Sequence, residues 1–309
     1  MATTTMRPAA VGAAGRAGWA YARPGRYLVF ALPALLMILA VIVFPWAFTV
    51  YMSMHEWNIV GETTFMGGAN YAALLSDARF LESIWHTFYF TFLAVLLPVV
   101  LGVGAAVIFH REFPARGFLR AVFIMPMMAT PVAIALVWTM MFHPQLGVLN
   151  YLLSLVGISP QLWVFSADTV IPSLVLVEVW HWTPLVMLIV LGGLAALPTE
   201  PYESALIDGA SQWQMFRHIT LPLVLPFIMV AVVIRTIDAL KTFDTIFVIT
   251  QGGPGTASET INIYLYLQAF AFYNMGHASA VVVVFFAIIV ALSLLLLWVR
   301  QRTLWTLRT

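Results

Sequence analysis

The chain has no cysteine. That excludes disulfides, thiolate metal sites and cysteine nucleophiles, and it leaves the redox compartment open. Charge is scarce: 9% of the 309 residues are Asp, Glu, Lys or Arg, where a soluble domain carries about 25%. Such a chain cannot cover its surface with polar groups, so its solvent must be largely lipid. A net charge of +1 supplies no basic field and no case for nucleic acid. There is a single lysine, Lys241. Thr242 follows it, but no glycine-rich turn precedes it, so the phosphate-binding loop G-x-x-x-x-G-K-[ST] is missing and the chain does not hydrolyse ATP by that route. The seven histidines show neither H-x-x-x-H nor H-E-x-x-H spacing, so no metal site is expected. Neither a solenoid-type repeat nor a clear inverted repeat is visible.

Apolar sequence fills the chain instead, at 62% hydrophobic residues. A window of about 20 apolar residues predicts six spans, at 27–51, 84–109, 118–142, 170–197, 221–249 and 277–299. The expected fold is all-α: a polytopic membrane protein with six transmembrane helices. The first run exceeds a signal-peptide core of about 7–15 residues and reads as an uncleaved span. Residues 1–26 are expected to form a flexible cytoplasmic tail, 27–300 the transmembrane domain, and 301–309 a second cytoplasmic tail. Arginine sets the orientation. With the N-terminus inside, the inner segments carry Arg7, Arg16, Arg23, Arg26, Arg111, Arg116, Arg120, Arg217, Arg300, Arg302 and Arg308, and the outer loops carry only Arg79. Both termini are then cytoplasmic, and so is the loop at 198–220.

Two intramembrane groups stand out, because a charge at the bilayer centre costs about 2.5–3.5 kcal/mol on insertion scales. Arg235, Asp238, Lys241 and Asp244 follow one another at i,i+3 in the fifth span, where opposite charges can pair along the helix or line an aqueous path. Glu178, Trp180, His181, Trp182 and Thr183 precede Pro184 in the fourth span. Rings beside polar groups suit carbohydrate, although interhelical packing explains them equally well. The third feature is the polar stretch from Glu200 to Pro226, too irregular to lie in hydrocarbon. Its first half can form a short helix with Tyr202, Ala205, Leu206 and Gly209 near one face, and Gly209 permits a sharp turn.

That stretch resembles the E-A-A…D-G-A…I-x-L-P loop of ABC importer permeases. The match runs through Glu203-Ser204-Ala205, Asp208-Gly209-Ala210 and Ile219-Thr220-Leu221-Pro222, with Ser204 in place of the usual second alanine. Further similar segments are Ile124-Met125-Pro126, Trp180 to Pro184, Arg235-Thr236 with Asp238-Ala239, Phe243-Asp244 and Thr250-Gln251-Gly252-Gly253-Pro254. Together they resemble the carbohydrate permeases of the maltose and glycerol-phosphate type, nearest to the first permease of the pair.

The resemblance implies a type I ABC importer permease fold in the bacterial inner membrane. It implies a non-catalytic subunit working with a second permease, two ATPase subunits that bind ATP and Mg, and an extracytoplasmic solute-binding protein. No cofactor is expected on this chain. The coupling loop would use Glu203, Ser204, Ala205, Asp208, Gly209, Ala210, Leu221 and Pro222. The pathway for a sugar-like solute would use Met127, Thr130, His181, Trp182, Leu185, Arg235, Asp238, Ala239 and Thr242, the last four sharing one helical face. The alternatives are a proton-coupled secondary sugar transporter using Glu178, His181 and Asp238, and a membrane enzyme, for which no paired-carboxylate spacing exists.

Overall fold

The computed structural model describes residues 24–57 and 63–306. The expected tail at 1–26 falls outside this range as far as residue 23, and residues 24–26 already belong to a helix. The chain divides into two units, 1–48 and 49–309. Within the first lie α1 (Pro24–Ile38), a π-helical turn at Leu39–Val43 and the start of α2 (Phe44–Ser53).

The second unit is helical throughout, apart from a two-residue antiparallel pairing of β1 (His55–Glu56) with β2 (Thr64–Phe65). Its helices are α3 (Ala69–Ser76), α4 (Ala78–His110), α5 (Arg116–Ile124), α6 (Pro131–Met141), α7 (Val148–Leu155) and α8 (Val170–Ala195). They continue with α9 (Glu200–Ile207), α10 (Gln212–Met215), α11 (Leu221–Leu240), α12 (Asp244–Thr250), α13 (Ile261–Tyr266) and α14 (Met275–Thr306). Among the described residues five helices are long and apolar enough to cross a membrane, and a bent pair makes a sixth crossing if counted as one.

Two expected spans need correction. The third, 118–142, is not one helix: Arg116–Met128 and Pro131–Met141 meet at 98°. Pro131 has no N–H and biases Thr130 to an extended backbone, so the helix stops and restarts there. The fifth, 221–249, begins earlier and ends sooner. It runs without interruption from Gln212 to Leu240, and α12 is a separate helix. Asn262 explains the stop. Its side-chain amide donates to the carbonyls of Leu240 at 2.8 Å and Thr242 at 3.3 Å, satisfying helix-end acceptors that lipid cannot.

Helices α4, α8 and α11 form the packed centre. Small residues let them approach closely. A Cβ added at Gly102 of α4 would sit 2.7 Å from Val186 of α8, and one at Gly193 of α8 would sit 2.5 Å from the Phe227 ring of α11. Pro98, Pro184 and Pro226 lie inside these helices, which spanning helices tolerate when neighbours satisfy the freed carbonyls.

The end of the bundle predicted to be external is stitched by polar contacts that bring together residues distant in sequence. Arg79 donates from Nε and Nη2 to both oxygens of Glu259, at 2.8 to 3.1 Å. Asp77 caps α4 by accepting from the N–H of Arg79 and Phe80. It also accepts from the Tyr264 hydroxyl at 2.6 Å. That hydroxyl has one proton, so His277 Nε2, 2.9 Å away, approaches it as a donor. Burial opposes ionisation of Asp77, but the Tyr264 hydroxyl and the two backbone N–H groups outweigh it and hold the carboxyl below its ordinary range.

A carboxylate depressed in the folded state stabilises fully above its ordinary range, and that contribution is lost as pH falls through the depressed value. Thermal stability in detergent is therefore expected to drop below about pH 4, and Asp77→Asn should lower stability at neutral pH while flattening this acid limb. Gly102→Val should destabilise by about 1–3 kcal/mol through overpacking, read as a lower melting temperature, with Gly104→Ala, where an added Cβ meets nothing within 4 Å, as control.

Candidate transport site and coupling segment

The intramembrane charges do not pair along their own helix. The expected ladder through Lys241 and Asp244 fails because α11 ends at Leu240, and Asp244 starts α12. Arg235 reaches across to α8 instead. Its Nη2 lies 2.9 Å from Glu178 Oε2, and the same nitrogen is 3.4 Å from the Ala94 carbonyl of α4. Its guanidinium carbon sits 4.8 Å from the centre of the Trp182 ring, a cation–π contact. Both charged partners are buried, Arg235 at 0% exposure and Glu178 at 2%. One arginine thus ties three helices, using a planar fork that lysine lacks. Its Nε and Nη1 have no hydrogen-bond partner among the described residues.

The other expected pathway residues distribute as follows. His181 and Ala239 are buried. Met127, Trp182, Leu185, Asp238 and Thr242 are half-buried, and Thr130 is exposed. His181 and Trp182 lie ring to ring at 4.5 Å. Arg235, Asp238 and Ala239 lie on α11, but Thr242 falls beyond its end, where its hydroxyl bonds back to the Asp238 carbonyl at 3.3 Å. The four residues are therefore not one continuous helical face. Met127 and Thr130 lie at the 98° bend. Beside that bend is an apolar cavity of about 360 Å³ lined by Ala129, Ala133, Ile134, Trp138 and Trp180. The segment Gln251-Gly252-Gly253-Pro254 forms a turn after α12.

At the other end of α11 the polar stretch is a helix, a tight turn and a second helix. Glu200 and Glu203 lie in the first turn of α9, where negative charge suits the helix dipole. Gly209 stops it with φ at +75°. Its N–H bonds to the Leu206 carbonyl, and the Ala210 N–H bonds to the Ala205 carbonyl. This is the Schellman pattern, whose left-handed position favours glycine. Ser211 then starts α10 through a capping box with Gln214. The sequence reading missed this box, although the S-x-x-Q spacing carries it.

From Gln212 the helix continues through a π-turn at Phe216–Thr220 into α11. Leu221 and Pro222 are therefore interior to one rod, not its beginning, and residues 212–220 of the expected loop belong to it. Of the expected coupling residues, Glu203, Ser204, Asp208 and Gly209 are exposed, and Ala205 and Ala210 are half-buried. Leu206, Ile207 and Trp213 are exposed beside them, while Tyr202 turns inward and bonds Thr220 at 3.0 Å. Behind this segment is a cavity of about 480 Å³, bordered by His110, Arg111, Thr199, Tyr202, Gln212 and Thr220.

An α-helical bundle with a buried charge pair at its centre, joined by one rod to an exposed helix–turn–helix, defines a membrane transport component. The comparisons name the family. Residues 98–304 match the model described as "Binding-protein-dependent transport system inner membrane component". A trehalose/maltose transport system permease of Thermococcus litoralis is 37% identical over 274 residues, covering 87% of this chain and 92% of that one. A sulfoquinovosyl glycerol transport system permease of Agrobacterium fabrum is 34% identical over 259 residues, covering 83% and 84%. An inner membrane ABC transporter permease of Escherichia coli is 33% identical over 273 residues, covering 87% and 92%. Among solved structures, a chain of a bacterial importer of the acidic polysaccharide alginate shares the fold, with a TM-score of 0.78 at 21% identity over 90% of this chain and 96% of that one. The chain belongs to the family of binding-protein-dependent transport system inner membrane components. It is a multi-pass permease subunit of an ABC importer.

Glu178→Leu leaves the Arg235 charge unpaired in the bundle. It should destabilise the protein by about 3–5 kcal/mol, seen as a lower melting temperature of the purified complex, whereas Glu178→Asp should retain most of the stability.

Proposed function

We propose that this chain forms half of the translocation path for a sugar-like solute and is driven by a separate ATPase. In this reading a second, homologous permease completes the path. Two ATPase subunits, which bind the ATP and Mg, grip the α9–α10 turn, and an extracytoplasmic binding protein delivers solute. In this reading the chain itself is non-catalytic and both termini are cytoplasmic, an orientation that the arginine distribution supports.

One observation carries the reading: the helix is continuous from Gln212 to Leu240, so a pull at the exposed turn is delivered to Arg235, about 35 Å away, without a hinge. Small exposed residues around Gly209 allow a partner's close approach, and Leu206, Ile207 and Trp213 offer it apolar contact. The sugar assignment draws on the named solutes of the relatives, trehalose/maltose and sulfoquinovosyl glycerol, and on the Trp182 ring in the helix core. Within that class, the solute is delivered by the binding protein.

The proton-coupled alternative would use Glu178, His181 and Asp238, of which Asp238 is half-buried and Glu178 and His181 are buried. Glu178 is tied to Arg235 and both residues are buried, an arrangement that supports a fixed charge pair over a proton relay.

In proteoliposomes containing all subunits, uptake of trehalose or maltose is expected to require ATP and the binding protein. Uptake by this chain alone, driven by a pH gradient, would sink the assignment. Gly209→Val forces a branched residue to a left-handed backbone at a cost of about 1–2 kcal/mol, and Glu203→Lys inverts an exposed charge. Both are expected to leave the protein in the membrane while ATP hydrolysis loses its dependence on the binding protein. Normal stimulated hydrolysis and uptake in both variants would remove the turn from the coupling role.

A further inference from the structure

We propose that Arg235 is a positioning residue: with Glu178 it clamps α11 to α8 beneath Trp182, so that the coupling rod and the Trp182 ring move as one body. It neither contacts the solute nor selects its charge. The inference rests on the permease reading above and deepens it.

Three observations converge. The guanidinium has 0% exposure, which leaves it no solvent-facing surface to offer a solute. Its charge is met inside the protein, by Glu178 at 2.9 Å. The remaining face stacks on Trp182 at 4.8 Å, and Trp182, unlike Arg235 and Glu178, is only half-buried. The accessible member of the trio is thus the aromatic ring, while the charges behind it fix where that ring stands. An ion pair sealed in this way offers a solute neither of its charges, so at this position the path would meet the solute through the Trp182 ring. It would give an anion no cationic partner at this position.

The position of the clamp gives it a second consequence. Arg235 stands on the same rod as the exposed turn, and Glu178 stands on α8, one turn before Trp182. Close packing at Gly193 against Phe227 joins the same two helices further along. Displacement of the rod is therefore transmitted to α8 at two points, one steric and one ionic. Without the ionic point, α11 can slide or rotate against α8 without carrying Trp182.

The test uses the complete complex in proteoliposomes, with stimulation of ATP hydrolysis by the solute-binding protein as the readout. This readout needs no knowledge of the solute. The double variant Glu178→Leu/Arg235→Met keeps the core apolar and avoids a lone buried charge. It is expected to assemble and to lose stimulation by about tenfold, the size of an ordinary coupling between sites. Arg235→Lys, which keeps the charge but not the planar stack on Trp182, should fall between the two.

Stimulation within about twofold of wild type in the double variant would overturn the clamp. So would a variant that gains or loses uptake of an anionic probe, sulfoquinovosyl glycerol, relative to trehalose, because that makes Arg235 a solute ligand. If the double variant fails to assemble, Arg235→Lys decides alone: reduced stimulation in an assembled complex supports the clamp, and wild-type stimulation overturns it. Failure of the permease reading is seen separately, as a wild-type complex that the binding protein does not stimulate.

Discussion

A guanidinium in the middle of a helix bundle has to be solvated by protein, because hydrocarbon offers no hydrogen bonds. Arg235 meets that requirement in part: its Nη2 has a carboxylate from α8 and a carbonyl from α4, its plane has an aromatic face from α8, and Nε and Nη1 have no partner among the described residues. The demand is geometric as well as electrostatic. Three helices must bring these groups to within about 3–5 Å of one side chain, and α4, α8 and α11 are the three that pack at the centre. Their glycines make that proximity possible, since a Cβ at Gly102 or Gly193 would strike the neighbouring helix. The buried charge and the small residues are therefore two sides of one arrangement. The first specifies which helices meet, and the second lets them close the distance.

Away from this centre the structure spends its polar groups at helix ends. Asn262 satisfies the last carbonyls of α11 and Asp77 caps the start of α4, each meeting the need of a helix end that lipid leaves with unpaired carbonyls or amides. Asn150 bonds three times to the segment between α7 and α8, accepting from the Trp163 indole at 2.8 Å, and once to the Pro144 carbonyl ahead of α7. The Arg79–Glu259 pair joins residues 180 positions apart and fixes the start of α4 against the segment leading into α13. The two ends of the bundle are thus held differently. One is cross-linked by side chains between distant elements. The other carries an exposed helix–turn–helix held by its own caps and the Tyr202–Thr220 bond.

Much of this was legible in the sequence, and the part that was not has a physical cause. Hydropathy reports where lipid-compatible helices lie, so the approximate places of the five long apolar helices and of the bent pair follow from it. It says little about helix ends, which side chains decide. Asn262 ended α11 at Leu240 from 22 residues away, and no window across the fifth span contains that information. Pro131 signalled the break in the third span, but proline is also tolerated inside α4, α8 and α11, so its presence alone does not separate a kink from a stop. Charge pairing was misread for a similar reason. Spacing at i,i+3 shows which charges can meet along one helix, and it is blind to Glu178 on another. The turn at Gly209 was the most legible site, because a Schellman stop and a capping box are both written in consecutive residues, from Ala205 to Gln214.

The difference between local and long-range information bears on how such a subunit can move. The α9–α10 turn is fixed by consecutive residues, whereas the far end of the rod behind it is set by Asn262. A contact between distant residues, Arg235 with Glu178, joins that rod to α8. A partner that grips Gly209 and its neighbours needs no change within the turn to do work. It needs only that the rod be stiff and that its far end be fastened to something. The π-turn at Phe216–Thr220 leaves the rod unbroken, and Pro226, which removes one backbone bond, lies one residue before the Phe227 that packs on Gly193, where a neighbour restrains the weak point. Fastening falls to Arg235. In the proposed reading, sequence written into one helix makes the lever, and a single charge pair between helices sets what the lever carries.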